Sequence, residues 1–167
     1  MENLVKIAEG VLTSCLAVKP GEEILVITDD SRKEIGEAIY EAAGNLGCEK
    51  ILMVMKEREV SGQEPPKAIA EAMKAADVVI APTAQSLTHT NARIEAAKAG
   101  TRVATMPGIT KEMFSQCSPT PPRHASKKMG RFLRSISMAG MVFQVLEYIK
   151  NPENVEIFLP EKPILLR

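Results

Sequence analysis

Tryptophan is absent from this 167-residue chain, and aromatic residues make up only 4% of it. Its core must therefore be aliphatic, built from Ile, Val, Leu, Ala and nine Met. Histidine is almost as scarce: His89 and His124 are the two in the chain. A catalytic zinc site needs three protein ligands, and two histidines without HExxH or HxH spacing do not supply a self-contained one. The three cysteines (Cys15, Cys48 and Cys117) form no CxxC pair and are odd in number, so neither a zinc knuckle nor a disulfide framework is expected. Buried or neutral thiols are the expectation for them. No apolar run approaches the ~20 residues of a membrane span. The start, "MENLVKIAEG", lacks the apolar core of a signal peptide. A cytoplasmic location with no membrane partner follows as the expectation. Glycine-rich phosphate loops are also missing: the turn "TDDSRKE" is acidic, and no GxGxxG occurs, which argues against classical dinucleotide binding.

What remains is a globular composition, 45% hydrophobic and 25% charged. The formal net charge is zero but unevenly spread. Residues 1–115 hold 13 Lys+Arg against 17 Asp+Glu, whereas residues 116–167 hold 8 against 4 together with six of the eleven prolines. A boundary is placed there: an α/β domain over 1–115 and a divergent tail over 116–167, read as helical or partly disordered. The basic run Arg123, Lys127, Lys128, Arg131 and Arg134 has helical spacing but no stacking platform beyond Phe132, so a solvated helix face is preferred to a nucleic-acid partner.

Hydrophobic periodicity organises the first 115 residues. Leu4, Ile7, Val11, Leu12 and Cys15 form one helical stripe. "ILVIT" (24–28), "KILMVM" (50–55), "DVVIAPT" (77–83) and "RVATMPG" (102–108) read as strands, the first two as buried on both faces. Helices are predicted between them, with an N-cap for the second among Asp29, Asp30 and Ser31, and stops at Gly47 and Gly100. Pro65-Pro66 opens a third helix, with Ala68, Ile69, Ala72 and Met73 facing in. Thr110 caps a further one. "MGRFLRSISMAGMVFQVLEYIKN" reads as helix broken near Gly140, "VEIFL" as a short strand, and "PEKPILLR" as an extended end.

Strand and helix alternating four times predict a three-layer, doubly wound α/β fold. Its sheet is mostly parallel, in the order 2-1-3-4, with helices on both faces. Ligands in such sheets bind beyond the carboxyl ends of the strands where the order reverses, here between strands one and three. That crevice would gather Asp29 and Asp30 with "SLTHTNARIEAAKAG", Ser86 to Gly100. Ser86, His89 and an aspartate could suggest a nucleophilic triad, but no G-x-S-x-G elbow exists, and Ser86 or Thr88 capping a helix is the stronger reading. The helix mouth at Thr88–Thr90 offers amides to an anion, with Arg93 one turn on as a further donor or an ordinary solvated side chain.

The wording of this region goes further. "DVVIAPTAQSLTHTNARIEAAKAGTRVATMPGIT", Asp77 to Thr110, resembles the aminopeptidase T-like family of metallopeptidases, and "KPGEEILVITDD" resembles its first strand. The resemblance covers about residues 1–115 and implies the following. Complete members are longer, hydrolyse N-terminal peptide bonds (leucyl aminopeptidase type) with a divalent metal such as zinc or cobalt, and hold that metal in a C-terminal domain. His89 would be catalytic, facing the substrate pocket. Ser86, Thr90 and Arg93 would support its loop; Asp29 and Asp30, which the strand order brings to the same crevice, are taken with them as substrate-binding. No metal ligand and no cofactor are assigned to this chain itself. The same family includes a ring-cleaving iron dioxygenase of hydroxypyridines, so membership does not require peptidase chemistry.

The pattern is lost after Phe114, and a frame shift over "IFLPEKPI" would restore a family-like segment. The expectation is thus a truncated or N-terminal-domain-only member, inactive alone, whose complete relatives take peptide or small-molecule substrates. The alternatives are a non-catalytic module binding a small anion or peptide terminus, and an interaction subunit that self-associates as a homo-oligomer.

Overall fold

The computed structural model describes residues 2–116 and the backbone of residues 134–138 and 141–146. In chain order the elements begin with α1 (Glu2–Ser14), β1 (Glu23–Asp29), α2 (Lys33–Asn45) and β2 (Glu49–Met55). They continue with α3 (Lys67–Ala75), β3 (Val78–Thr83), α4 (Asn91–Ala99), β4 (Arg102–Pro107) and α5 (Lys111–Ser115). Two more strands follow, β5 (Arg134–Met138) and β6 (Met141–Leu146).

The sheet order is β2-β1-β3-β4-β6-β5, and its first four strands are mutually parallel. The predicted α/β class, the order 2-1-3-4 and the three layers are therefore present. Strand pleat sorts the apolar runs between two cores. Ile24, Val26, Val78, Ile80, Ala104 and Met106 face one way and pack with α1, α2 and Phe114 of α5. Leu25, Ile27, Val79, Ala81 and Val103 face the other way and pack with α3 and α4. Burial on both faces explains why β1 and β3 read as unbroken apolar runs rather than as alternating ones.

Several local expectations need correction. β2 was expected to be buried on both faces. It is instead an edge strand, paired only with β1 among the described residues, and Ile51 and Val54 are 41% and 43% exposed. α2 is not capped by Asp30 or Ser31: its N-cap is Arg32, which makes no side-chain cap bond. Ala68 is exposed and Ala72 half-buried, so α3 buries Ile69 and Met73 alone. The helix expected over 129–151 is replaced, in its described part, by the antiparallel pair β5–β6. "RSISM" alternates polar and apolar residues with period two, and β6 pairs antiparallel with β4, covering an edge that a bare parallel sheet would leave open. "VEIFL", "PEKPILLR", His124, Cys117 and the basic residues 123–131 lie outside the described residues.

Other punctuation is where it was expected. Gly47 and Gly100 adopt positive φ of 73° and 102° just past α2 and α4. Thr110 caps α5, its hydroxyl accepting from Met113 N at 3.2 Å. Cys15 and Cys48 are in no disulfide, and burial raises the pKa of the Cys48 thiol above its ordinary value.

Gly36 sets how closely α2 approaches β1. A Cβ at that position would lie 2.8 Å from Thr28 Cγ2 and 2.9 Å from Thr28 Cβ. Thr28 is fully buried, and its Cβ cannot rotate away. Gly36→Ala is expected to lower stability by about 1–2 kcal/mol, because overpacking of about 1–3 exceeds a helix-propensity gain of about 0.5–1. The urea midpoint measures this, and an unchanged or raised midpoint would show that α2 and β1 can part at no cost.

Candidate functional site

At the carboxyl edge of the sheet, β3 ends at Thr83 and the chain crosses to α4 through residues 84–90. This loop carries most of the side chains singled out from the sequence. Neighbouring elements hold it.

Asp29 anchors the first end. Its carboxylate is fully buried. Oδ2 accepts from Ala84 N at 2.5 Å, and Oδ1 accepts from Ser31 Oγ at 2.8 Å and Arg32 N at 3.1 Å. One buried side chain thus fastens the end of β1 to the end of β3 and also shapes the turn into α2. Its oxygens are committed to the protein, so the expected contact with substrate has no support in its geometry. Asp30, the next residue, is exposed on the same edge.

Hydroxyls fix the middle of the loop. Ser86 Oγ donates to Thr88 Oγ1 at 2.9 Å and accepts from Thr88 N at 3.2 Å. Thr88 Oγ1 is 2.8 Å from Oγ1 of Thr105, a buried threonine of β4. Neither Ser86 nor Thr88 caps the helix. Thr90 does, its hydroxyl accepting from Arg93 N at 3.2 Å while donating to Leu87 O at 2.7 Å. Thr90 is fully buried and both capacities of its hydroxyl are used.

The helix mouth is not open to an anion. Glu64, from the β2–α3 loop, places Oε1 2.6 Å from Asn91 N and Oε2 3.1 Å from Ala92 N. A carboxylate from the chain itself occupies the favoured position for negative charge at a helix N-terminus. This corrects the expectation that these amides would receive a ligand anion, and it removes the physical basis of the small-anion module.

Two groups are left over. His89 is exposed and makes no hydrogen bond among the described residues. Arg93 donates from Nε to Thr88 O at 2.8 Å, the carbonyl just before His89. Its Nη atoms have no partner among the described residues. Burial lowers its pKa below the ordinary value. Asp29 and His89 share the predicted sheet edge through Ala84, without direct contact.

At the same carboxyl edge of the sheet, a cavity of about 260 Å³ lies between the β1–α2 and β4–α5 turns. Ser31, Arg32, Ile35 and Thr110 contribute to its lining. Lys111 and Glu34, also in the lining, pair with each other. Arg32 Nε is buried there without a partner among the described residues. Thr105, Ser61 and Glu64, which hold the loop, and Arg32, which lines the cavity, were not singled out from the sequence. Glu64 had a weak signal in "EPP", where proline stiffens the residue before it.

Among the described residues, no group of three or more His, Cys, Asp and Glu side chains could hold a metal ion. No helix among them is long and apolar enough to cross a membrane.

The family model for 2,5-dihydroxypyridine 5,6-dioxygenase (NicX) matches residues 3–142. Among solved structures, the 2,5-dihydroxypyridine dioxygenase from Pseudomonas putida KT2440 matches with a TM-score of 0.54 at 21% identity. The match covers 62% of this chain and 33% of that one, so this chain spans about a third of that protein's length. At such identity the likeness bears on the fold alone. No curated protein matches. These findings overturn the reading as an aminopeptidase T-like metallopeptidase, together with its hydrolase and proteolysis chemistry. The reason lies in what the quoted stretch builds. Asp77 to Thr110 forms two strands joined by a braced loop and a helix, without a metal cluster among the described residues, and such a scaffold does not distinguish hydrolysis from oxygen chemistry. By the match over residues 3–142, the chain belongs to the NicX, or 2,5-dihydroxypyridine 5,6-dioxygenase, family.

Proposed function

We propose that this chain forms one wall of the substrate cleft of a ring-opening dioxygenase acting on 2,5-dihydroxypyridine. The observation that carries this is the family match across residues 3–142. The loop geometry supports it, because every polar side chain of Ser86, Thr88 and Thr90 is turned to internal bonds, leaving His89 and the Arg93 Nη atoms uncommitted. In the proposed reaction the ring bond between C5 and C6 breaks and both atoms of dioxygen enter the product. Dioxygen is the oxidant, and no further reductant is needed.

Within that reading, His89 is the catalytic residue. An exposed imidazole with no hydrogen-bond partner among the described residues is placed to take and return a proton of a ring hydroxyl. Arg93 binds an oxygen that gains negative charge. Ser86, Thr90 and Asp29 are positioning residues for this loop, and Asp30 lies on the outer lip. The described residues do not fit a divalent metal, so no step is routed through one. The holding of any such metal is assigned to residues other than those described.

Adding 2,5-dihydroxypyridine to the isotope-labelled chain is expected to shift the His89 and Arg93 side-chain resonances. His89→Ala should weaken that binding roughly tenfold, equivalent to about 1.4 kcal/mol, without moving the thermal midpoint. In any longer protein that contains this chain, the same substitution should lower turnover by about 10²–10⁴-fold. Resonances that stay fixed at millimolar ligand, or binding indifferent to His89→Ala, would overturn the assignment.

A further inference from the structure

The β2–α3 loop lies against both ends of the His89 loop. On one side, Gly62 N donates to Ser86 O at 2.8 Å. There too, Ser61 Oγ donates to Gln85 Oε1 at 2.9 Å and accepts from Ser86 N at 3.2 Å. On the other side, Glu64 takes Asn91 N and Ala92 N with its two carboxylate oxygens. The four residues 87–90 therefore lie between two attachments supplied by one short stretch, Ser61 to Glu64, with a further hold inside them where Thr88 meets Thr105. That stretch is itself stiff. Pro65, buried, restricts the backbone of Glu64, and Pro66 is the N-cap of α3.

We propose that this stretch is a brace that sets the orientation of His89, with Glu64 as its positioning residue. The proposal rests on His89 being the substrate-facing group. Glu64 itself touches no substrate. It acts through the first two amides of α4, while the Thr90 cap takes the third, Arg93 N. Asn91 and Ala92 directly follow the turn bearing His89, so their release loosens that turn on the far side of Thr88, which stays tied to Thr105. Charge-assisted bonds from a carboxylate to helix amides are among the stronger ones available to an exposed side chain.

The test uses the isotope-labelled 167-residue chain and needs no substrate. Glu64→Ala is compared with Glu64→Gln, which keeps one acceptor oxygen, and with Glu71→Ala, an exposed carboxylate on α3 that serves as control. In Glu64→Ala the Asn91 and Ala92 amides should exchange roughly tenfold faster, as expected for losing about 1.4 kcal/mol of hydrogen bonding. The His89 ring resonances should shift and broaden with them. Glu64→Gln should fall between wild type and Glu64→Ala, and Glu71→Ala should match wild type. Faster amides with unmoved His89 resonances would reduce Glu64 to an ordinary helix cap and overturn the proposal. Amides that do not change would overturn it as well. Failure of 2,5-dihydroxypyridine to bind is a separate outcome: it would sink the functional reading and leave the brace itself standing or falling on these spectra.

Discussion

Asp29→Ala is expected to lower the unfolding free energy by about 3–5 kcal/mol, since three bonds to one buried carboxylate are lost and their donors lose a charged acceptor. Ala84 N, Arg32 N and the Ser31 hydroxyl are those donors. They sit at the ends of two neighbouring strands, so the damage joins the start of the His89 loop to the turn into α2. Asp29→Asn separates hydrogen bonding from shape. It has nearly the same volume but only one acceptor oxygen, and its NH₂ group would face an N–H. Roughly half the loss is therefore expected. Urea unfolding of both variants gives the numbers. A loss under about 1 kcal/mol for Asp29→Ala would mean that water replaces the carboxylate and that Asp29 is free for another task.

Phe114→Ala should cost a comparable amount, about 3–5 kcal/mol, the range for deleting a buried aromatic ring. Phe114 is fully buried in the core shared by α1, α2 and one face of the sheet. α5 has only five residues, too few to be stable without tertiary contacts. Apart from the Thr110 cap, this ring and the partly buried Met113 supply its apolar contacts with the domain. The expectation is therefore a lower thermal midpoint together with rapid amide exchange throughout residues 111–116. Phe114→Leu, which refills part of the space, should recover more than half of the loss. If Phe114→Ala left both the midpoint and exchange unchanged, α5 would not be a docked part of the domain.

How far the site could be read from sequence depends on the range of the interactions. The His89 loop stood out because a Ser-Leu-Thr-His-Thr run opens onto a regular helix, and its place at the sheet edge followed from strand order. Thr90 as cap was missed because Ser86, Thr88 and Thr90 are all acceptable capping types, and only backbone geometry chooses among them. The expectation of a ligand anion at the helix mouth failed for a related reason. Glu64 is 27 residues before Asn91, and no periodic pattern connects them. Family chemistry was misassigned from a stretch whose strands, loop and helix fit more than one chemistry.

Composition and periodicity alone determined the aliphatic core, the four strand–helix alternations, the parallel sheet order and the edge where the polar loop emerges. Those features come from local pattern and from the few topologies that bury such a pattern. Tertiary structure alone decided that Asp29 brackets the ends of β1 and β3, and that Glu64 bonds the first amides of α4. It also decided that β2 lies at an edge, and that residues 134–138 and 141–146 form strands and not a helix. For Asp29, Glu64 and the β4–β6 pairing the deciding contact joins residues distant in the chain: 55 apart for Asp29 and Ala84, for example. Burial and hydrogen bonding across that distance leave no mark on the neighbouring sequence.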